Sequence, residues 1–174
     1  EVGRPVPFWI YLFGAPGVGK SFVANDLAHN IQDTYYPAYT DYRNAVYTRT
    51  PKPFWDRYKS QPIVLLDDFL TDSTDTTILE MLSLVSCVDH MLDMATIDDS
   101  EIGIKGTSFD SEFIISTSNF VSATGIPALA NVDAWNSRRR VMCEVVFMGF
   151  DPKKKGKRFA LGSIGHGQGY NVLE

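Results

Sequence analysis

A chain of 174 residues is long enough to bury one hydrophobic core and too short for two domains of ordinary size. Its 44% hydrophobic and 21% charged residues exclude a disordered or fibrous chain, and a formal net charge of -5 excludes a surface that is basic throughout. Any contact with nucleic acid therefore needs a local cluster of Lys and Arg.

Glu1 stands where an initiator Met would, which points to an excised domain or a piece of a polyprotein. Pro5-Val6-Pro7 leads into Phe8-Trp9-Ile10-Tyr11-Leu12-Phe13, a continuous apolar run that predicts a strand buried on both faces. The glycine-rich run from Gly14 to Ser21 follows at once. Phe22, Val23, Leu27, Ala28 and Ile31 then recur at helical spacing. Residues 33 to 60 are rich in Tyr, Pro and Thr, with a short strand expected around Ala45-Val46-Tyr47 and a packed aromatic segment from Phe54 to Tyr58. Pro62-Ile63-Val64-Leu65-Leu66 predicts a second buried strand, ending in Asp67-Asp68. Ile78, Leu79, Met81, Leu82 and Val85 form a helical stripe, and Phe113-Ile114-Ile115-Ser116-Thr117-Ser118-Asn119 predicts a third buried strand. Strands alternating with helices imply an α/β fold whose mostly parallel sheet is covered on both faces. The expected division is a core over 1–150 and a tail over 151–174, basic at Lys153-Lys154-Lys155-Gly156-Lys157-Arg158 and then Gly-rich. Cys87 and Cys143 lie among apolar residues without metal-ligand spacing and read as buried free thiols of an intracellular protein. No apolar run approaches the ~20 residues of a membrane-spanning helix and no signal peptide is visible, so a soluble chain is expected.

Gly14-Ala15-Pro16-Gly17-Val18-Gly19-Lys20-Ser21 has the spacing of a nucleotide phosphate loop. Its glycines let backbone N–H groups curl around phosphates, Lys20 places a charge on the outer phosphates, and Ser21 ligates Mg²⁺. The helix that begins at Lys20 aims its positive end at the same place. Strand before and helix after are the context this pattern requires, and together they imply a nucleoside triphosphatase. Open parallel sheets bind ligands beyond the carboxyl ends of their strands, which brings Asp67 and Asp68 towards Ser21. Asp67 is the expected metal-side ligand and Asp68 the expected base for the attacking water, the alternative being a solvated acidic turn. Asn119 can orient that water, or is an ordinary turn residue. The polar Ser116, Thr117 and Ser118 need partners that a site at the strand ends would supply. Arg138-Arg139-Arg140 offers a guanidinium for phosphoryl charge or, equally, a solvated basic face; three adjacent arginines cannot all enter one site.

These residues, in this order, resemble the superfamily 3 helicases of picornavirus-like positive-strand RNA viruses, a branch of the AAA+ ATPases. The resemblance covers residues 4 to 150 and rests on Arg4-Pro5-Val6-Pro7, the loop from Gly14 to Ser21, the strand ending Asp67-Asp68-Phe69 and the strand ending Ser116-Thr117-Ser118-Asn119. Two less generic stretches add to it: Ala45 to Lys59, and Met94-Ala95 leading to Lys105-Gly106, Phe109 and Ser111. It implies ATP (or another NTP) and Mg²⁺ as cofactors, with Lys20 and Ser21 at the nucleotide, Asp67 and Asp68 as metal and base carboxylates, and Asn119 as sensor. Arg139 and Arg140 would align with arginine fingers that reach into the next protomer of a homo-oligomer, hexameric in the full-length protein. Lys105 would contact single-stranded RNA. The implied setting is the host-cell cytoplasm, at membrane-associated complexes with other viral replication proteins, the membrane contact being made by segments outside this chain. The family's Cys-rich zinc segment has no counterpart after Cys143. Two other readings stay open on the residues alone. One is a small-molecule or nucleoside kinase, which also uses a phosphate loop; the other is a replication-complex scaffold that binds RNA or membrane through Lys153 to Arg158.

Overall fold

The computed structural model describes residues 3–49, 54–70, 75–94, 106–121, 132–146 and 170–173. Its frame is a six-stranded sheet in the order β2-β3-β6-β1-β7-β8, formed by β1 (Phe8–Phe13), β2 (Val46–Arg49), β3 (Ile63–Leu66), β6 (Phe113–Ser118), β7 (Val141–Val145) and β8 (Tyr170–Leu173). The first five run parallel, and β8 closes one edge antiparallel to β7. This is the expected α/β architecture of a phosphate-loop NTPase. The β6 strand pairs with β1 on one side and β3 on the other, so the strand that leads to Asn119 separates the glycine loop from the acidic pair.

The sheet is buried on both faces because its central strands are apolar on both. Ile10 and Leu12 of β1 face helix α1 (Lys20–Tyr35), whose Ala24, Ala28 and Ile31 are buried. Trp9, Tyr11 and Phe13 face the opposite cluster, which holds Ile78, Met81 and Leu84 of α3 (Asp75–Leu84) and Trp135 of α4 (Val132–Arg138). Trp135 meets Trp9 edge-on at 5.1 Å between centroids and stacks on Phe69 at 5.9 Å. Trp9 also donates its indole N–H to Ser116 Oγ at 2.8 Å, so Ser116 serves the core rather than the strand-end site.

Several local expectations shift. Ala45 ends a short helix α2 (Tyr42–Ala45), capped by Asp41 accepting from the Arg43 N–H, and the strand begins only at Val46. Phe22 and Leu79 sit at helical spacing yet are 42% and 50% exposed, because the sheet takes a narrower stripe of each helix than the apolar pattern offers. Both cysteines are free, but Cys87 is exposed, lying beyond the end of α3, and Cys143 is half-buried on β7. Met91–Leu92 (β4) and Thr107–Ser108 (β5) form a separate antiparallel pair. Lys105 and the basic run from Lys153 to Arg158 lie outside the described residues. Among the described residues no helix is long and apolar enough to cross a membrane.

Candidate active site

Strand register assembles the site. Phe13 is level with Ser118, and Leu66 with Ser116, so the chain leaves β1, β3 and β6 at neighbouring points on the carboxyl edge of the sheet. Gly14 donates its N–H to the Ser118 carbonyl at 3.2 Å as the loop begins. The loop ends at Gly19, which caps α1 in the left-handed region at φ 95, and the volume a side chain would occupy there is open. Among the described residues no side chain caps the helix start, which leaves its first N–H groups to a ligand such as a phosphate.

Lys20 is 6% exposed, and its ammonium donates to the Gly14 and Ala15 carbonyls, both at 2.9 Å, and to Asn119 Oδ1 at 2.8 Å. Desolvation lowers its pKa from the ordinary lysine value, and the Asp68 and Asp67 charges oppose that shift. Among the described residues no carboxylate stands within ion-pair distance of this ammonium. A buried cation so placed suits an anionic ligand. Ser21 donates its hydroxyl to Asp67 Oδ1 at 2.7 Å, which brings two hard oxygen ligands together beside the loop. Such a pair fits Mg²⁺, which keeps its other positions for phosphate oxygens and water. Asn25, one helical turn beyond Ser21, donates to the Ser21 carbonyl and accepts from the Tyr42 hydroxyl, tying the metal-side residue to α2.

Asp68 is exposed and holds a left-handed backbone at φ 52. Its N–H is donated to Thr117 Oγ1 at 3.0 Å, and the same hydroxyl donates to Asp67 Oδ1 at 2.7 Å. Lys20, Ser21, Asp67, Asp68 and Asn119 thus meet at one edge of the sheet. Thr117 joins them as a residue that sequence reasoning singled out only as one of three polar positions in a buried strand. Of the other two, Ser118 receives the Phe120 N–H on its hydroxyl.

The three arginines separate as adjacent side chains must. Arg138 folds back onto the Ala134 carbonyl of its own helix. Arg139, expected to reach a neighbouring protomer, is instead 8% exposed and turned inward: its guanidinium lies 4.7 Å over the Tyr11 ring and donates to the Val121 carbonyl at 2.7 Å and to Asn136. Ring stacking and these acceptors hold it inside its own chain. Arg140 is exposed, and its N–H is donated to the Trp9 carbonyl. It therefore lies level with the start of β1, about 16 Å along the sheet from Gly14 at ~3.3 Å per residue.

The profile of the RNA helicase family matches residues 10–120, a stretch that holds the glycine loop, the acidic pair and Asn119. The chain belongs to the RNA helicase family. That membership agrees with the resemblance to superfamily 3 helicases of picornavirus-like viruses. Among its relatives is the RNA1 polyprotein of Tomato ringspot virus (isolate raspberry), 33% identical over 137 residues that are 78% of this chain and 6% of the polyprotein. The RNA1 polyprotein of Cowpea mosaic virus (strain SB) is 31% identical over 144 residues, 82% of this chain and 7% of that one. That of Red clover mottle virus is 29% identical over 173 residues, 98% of this chain and 8% of that one. This RNA helicase chain thus spans less than a tenth of the length of these relatives.

Proposed function

We propose that this RNA helicase domain hydrolyses ATP, or another NTP, with Mg²⁺, at sites shared between subunits of a ring, and couples the hydrolysis to unwinding or remodelling of RNA during viral replication. The observation that carries the reading is the convergence of Lys20, Ser21, Asp67, Asp68 and Asn119 at the carboxyl ends of three adjacent strands. In this reading the loop amides and Lys20 hold the outer phosphates. Ser21 and Asp67 hold Mg²⁺, which when bound neutralises charge on the phosphate oxygens. Asp68 accepts a proton from the attacking water. Asn119, whose Oδ1 is occupied by Lys20, keeps its amide N–H groups to orient that water.

The shared site rests on two further observations. The cavity of about 60 Å³ beside Ser21, Asn25, Thr48, Asp67 and Thr117 is lined by neither the loop from Gly14 to Lys20 nor Asn119, so it offers no enclosed seat for a nucleotide. A second copy is the natural cover. Arg140 is exposed and too far along the sheet to serve its own loop, which supports reading it as the arginine finger offered to a neighbour. Lys105 is assigned to single-stranded RNA, and the replication setting at host membranes is assigned to the whole polyprotein product, on family membership alone.

The test is ATPase rate against protein concentration for wild type, Lys20→Ala, Asp68→Asn and Arg140→Ala. Lys20→Ala should abolish turnover, and wild-type specific activity should climb as protomers meet. Mixing Asp68→Asn with Arg140→Ala should restore part of the activity, since each supplies what the other lacks. A flat concentration dependence, together with a fully active Arg140→Ala, would sink the shared site.

A further inference from the structure

We infer that Thr117 is a positioning residue whose one hydroxyl sets both carboxylates of the site; the inference rests on the hydrolysis reading above. Three consecutive residues after β3 are bound to Thr117. Its Oγ1 donates to Asp67 Oδ1 at 2.7 Å and accepts the Asp68 N–H at 3.0 Å, and its carbonyl accepts the Phe69 N–H at 2.7 Å. Thr117 is 1% exposed and paired with Leu12 of β1 in the middle of the sheet, so this anchor does not move with solvent.

The segment it holds needs an anchor. Asp68 and Leu70 both have positive φ, 52 and 73, in a strained region that non-glycine residues hold only where their surroundings impose it. A threonine hydroxyl has a single proton. Directed at Asp67, that proton commits one carboxylate oxygen and leaves the other for the metal, while a lone pair fixes the backbone from which the Asp68 carboxylate projects. Asn119 follows β6 directly, one residue beyond its end at Ser118, and its Oδ1 accepts from Lys20. The β6 strand and the residue that follows it therefore carry a contact to the acidic side and a contact to the phosphate side. Valine fills the same volume as threonine and supplies neither hydrogen bond.

The test compares wild type, Thr117→Val, Thr117→Ala and Thr117→Ser as the full 174-residue chain, by steady-state ATPase, by Mg²⁺-dependent binding of a fluorescent ATP analogue, and by thermal melting. Thr117→Val should lower kcat about 10- to 100-fold, the usual range for residues that orient metal ligands, and raise the Mg²⁺ concentration giving half-maximal rate. Its KM for ATP should stay within about twofold, because Lys20 and Asn119 are untouched. Thr117→Ser, which keeps the hydroxyl, should recover most of the loss. Combined with Asp68→Asn, Thr117→Val should add little to the loss of kcat and still raise the Mg²⁺ requirement through Asp67. Wild-type kcat and Mg²⁺ dependence in Thr117→Val would overturn the inference, as would Thr117→Ser being as impaired as Thr117→Val. If Thr117→Val fails to melt cooperatively, the Ser and Ala variants decide: equal rates for the two refute the role of the hydroxyl. A wild-type chain that binds the analogue but never turns over would defeat the hydrolysis reading instead, and the Mg²⁺ dependence of analogue binding would still judge Thr117.

Discussion

Arg139 is a cation taken almost wholly out of water and set over the Tyr11 ring, with desolvation lowering its pKa and Tyr11 opposing that shift. Among the described residues its Nε finds no hydrogen-bond partner, and the side chain is held by the stack and by its two terminal nitrogens. Truncation removes the stack, leaves acceptors unpaired and opens a void. Arg139→Ala should therefore cost about 2 kcal/mol, which for a chain of this size lowers the melting temperature by roughly 4–8 °C. Arg139→Met should lose much less, since it keeps the packed stem and sheds the cost of a buried charge. Melting curves check both, and a Met variant as unstable as Ala would assign the effect to the hydrogen bonds. Lys20 was legible as a site residue because it ends a short, stereotyped loop whose Gly14 and Ala15 carbonyls are among its partners. Arg139 was not, because its orientation is set by Tyr11, which is remote in sequence, and by the backbone at Val121.

Gly14 shows how tightly the elements around the site are joined. A Cβ there would stand 2.5 Å from the Val145 carbonyl oxygen, a backbone atom of β7 that cannot swing aside. Gly14→Ala should part β1 from β7 where the loop begins; the expected result is loss of nucleotide binding and a lower melting temperature, read by fluorescent-nucleotide titration and calorimetry. Binding at wild-type affinity would show that the loop tolerates the displacement. At this scale β1, β3, β6 and α1 could be read from the chain, since continuous apolar runs of strand length and a helix opening on Lys20 leave few alternatives. The order of the strands was beyond that reach. Apolar strands look alike in sequence, and only the paired registers put Asn119 between the loop and the acids. The outward turn of Phe22 and Leu79 was hidden for a related reason: periodicity marks a face, while the width of that face is set by what packs on it.

For the whole molecule, sheet order decides what must be present before the site can exist. The β1 strand lies between β6 and β7, and the glycine loop rises from its end. A chain ending at Arg140 would contain every residue assigned to the nucleotide and yet lack the strand that flanks β1 on one side. We expect that truncation to bind no ATP, as measured by equilibrium dialysis; binding at wild-type strength would show that β7 is dispensable. The same order has a consequence for synthesis. The ribosome makes the strand that completes the seat of the glycine loop about 130 residues after the loop itself, an interval of roughly 6–26 s at ordinary elongation rates. During that interval the aromatic β1 strand has no finished sheet to enter, and its nearest partners in space are far away along the chain. Folding of this domain is then timed by β7, and the loop, though made well before it, becomes competent for nucleotide only once that strand is in place.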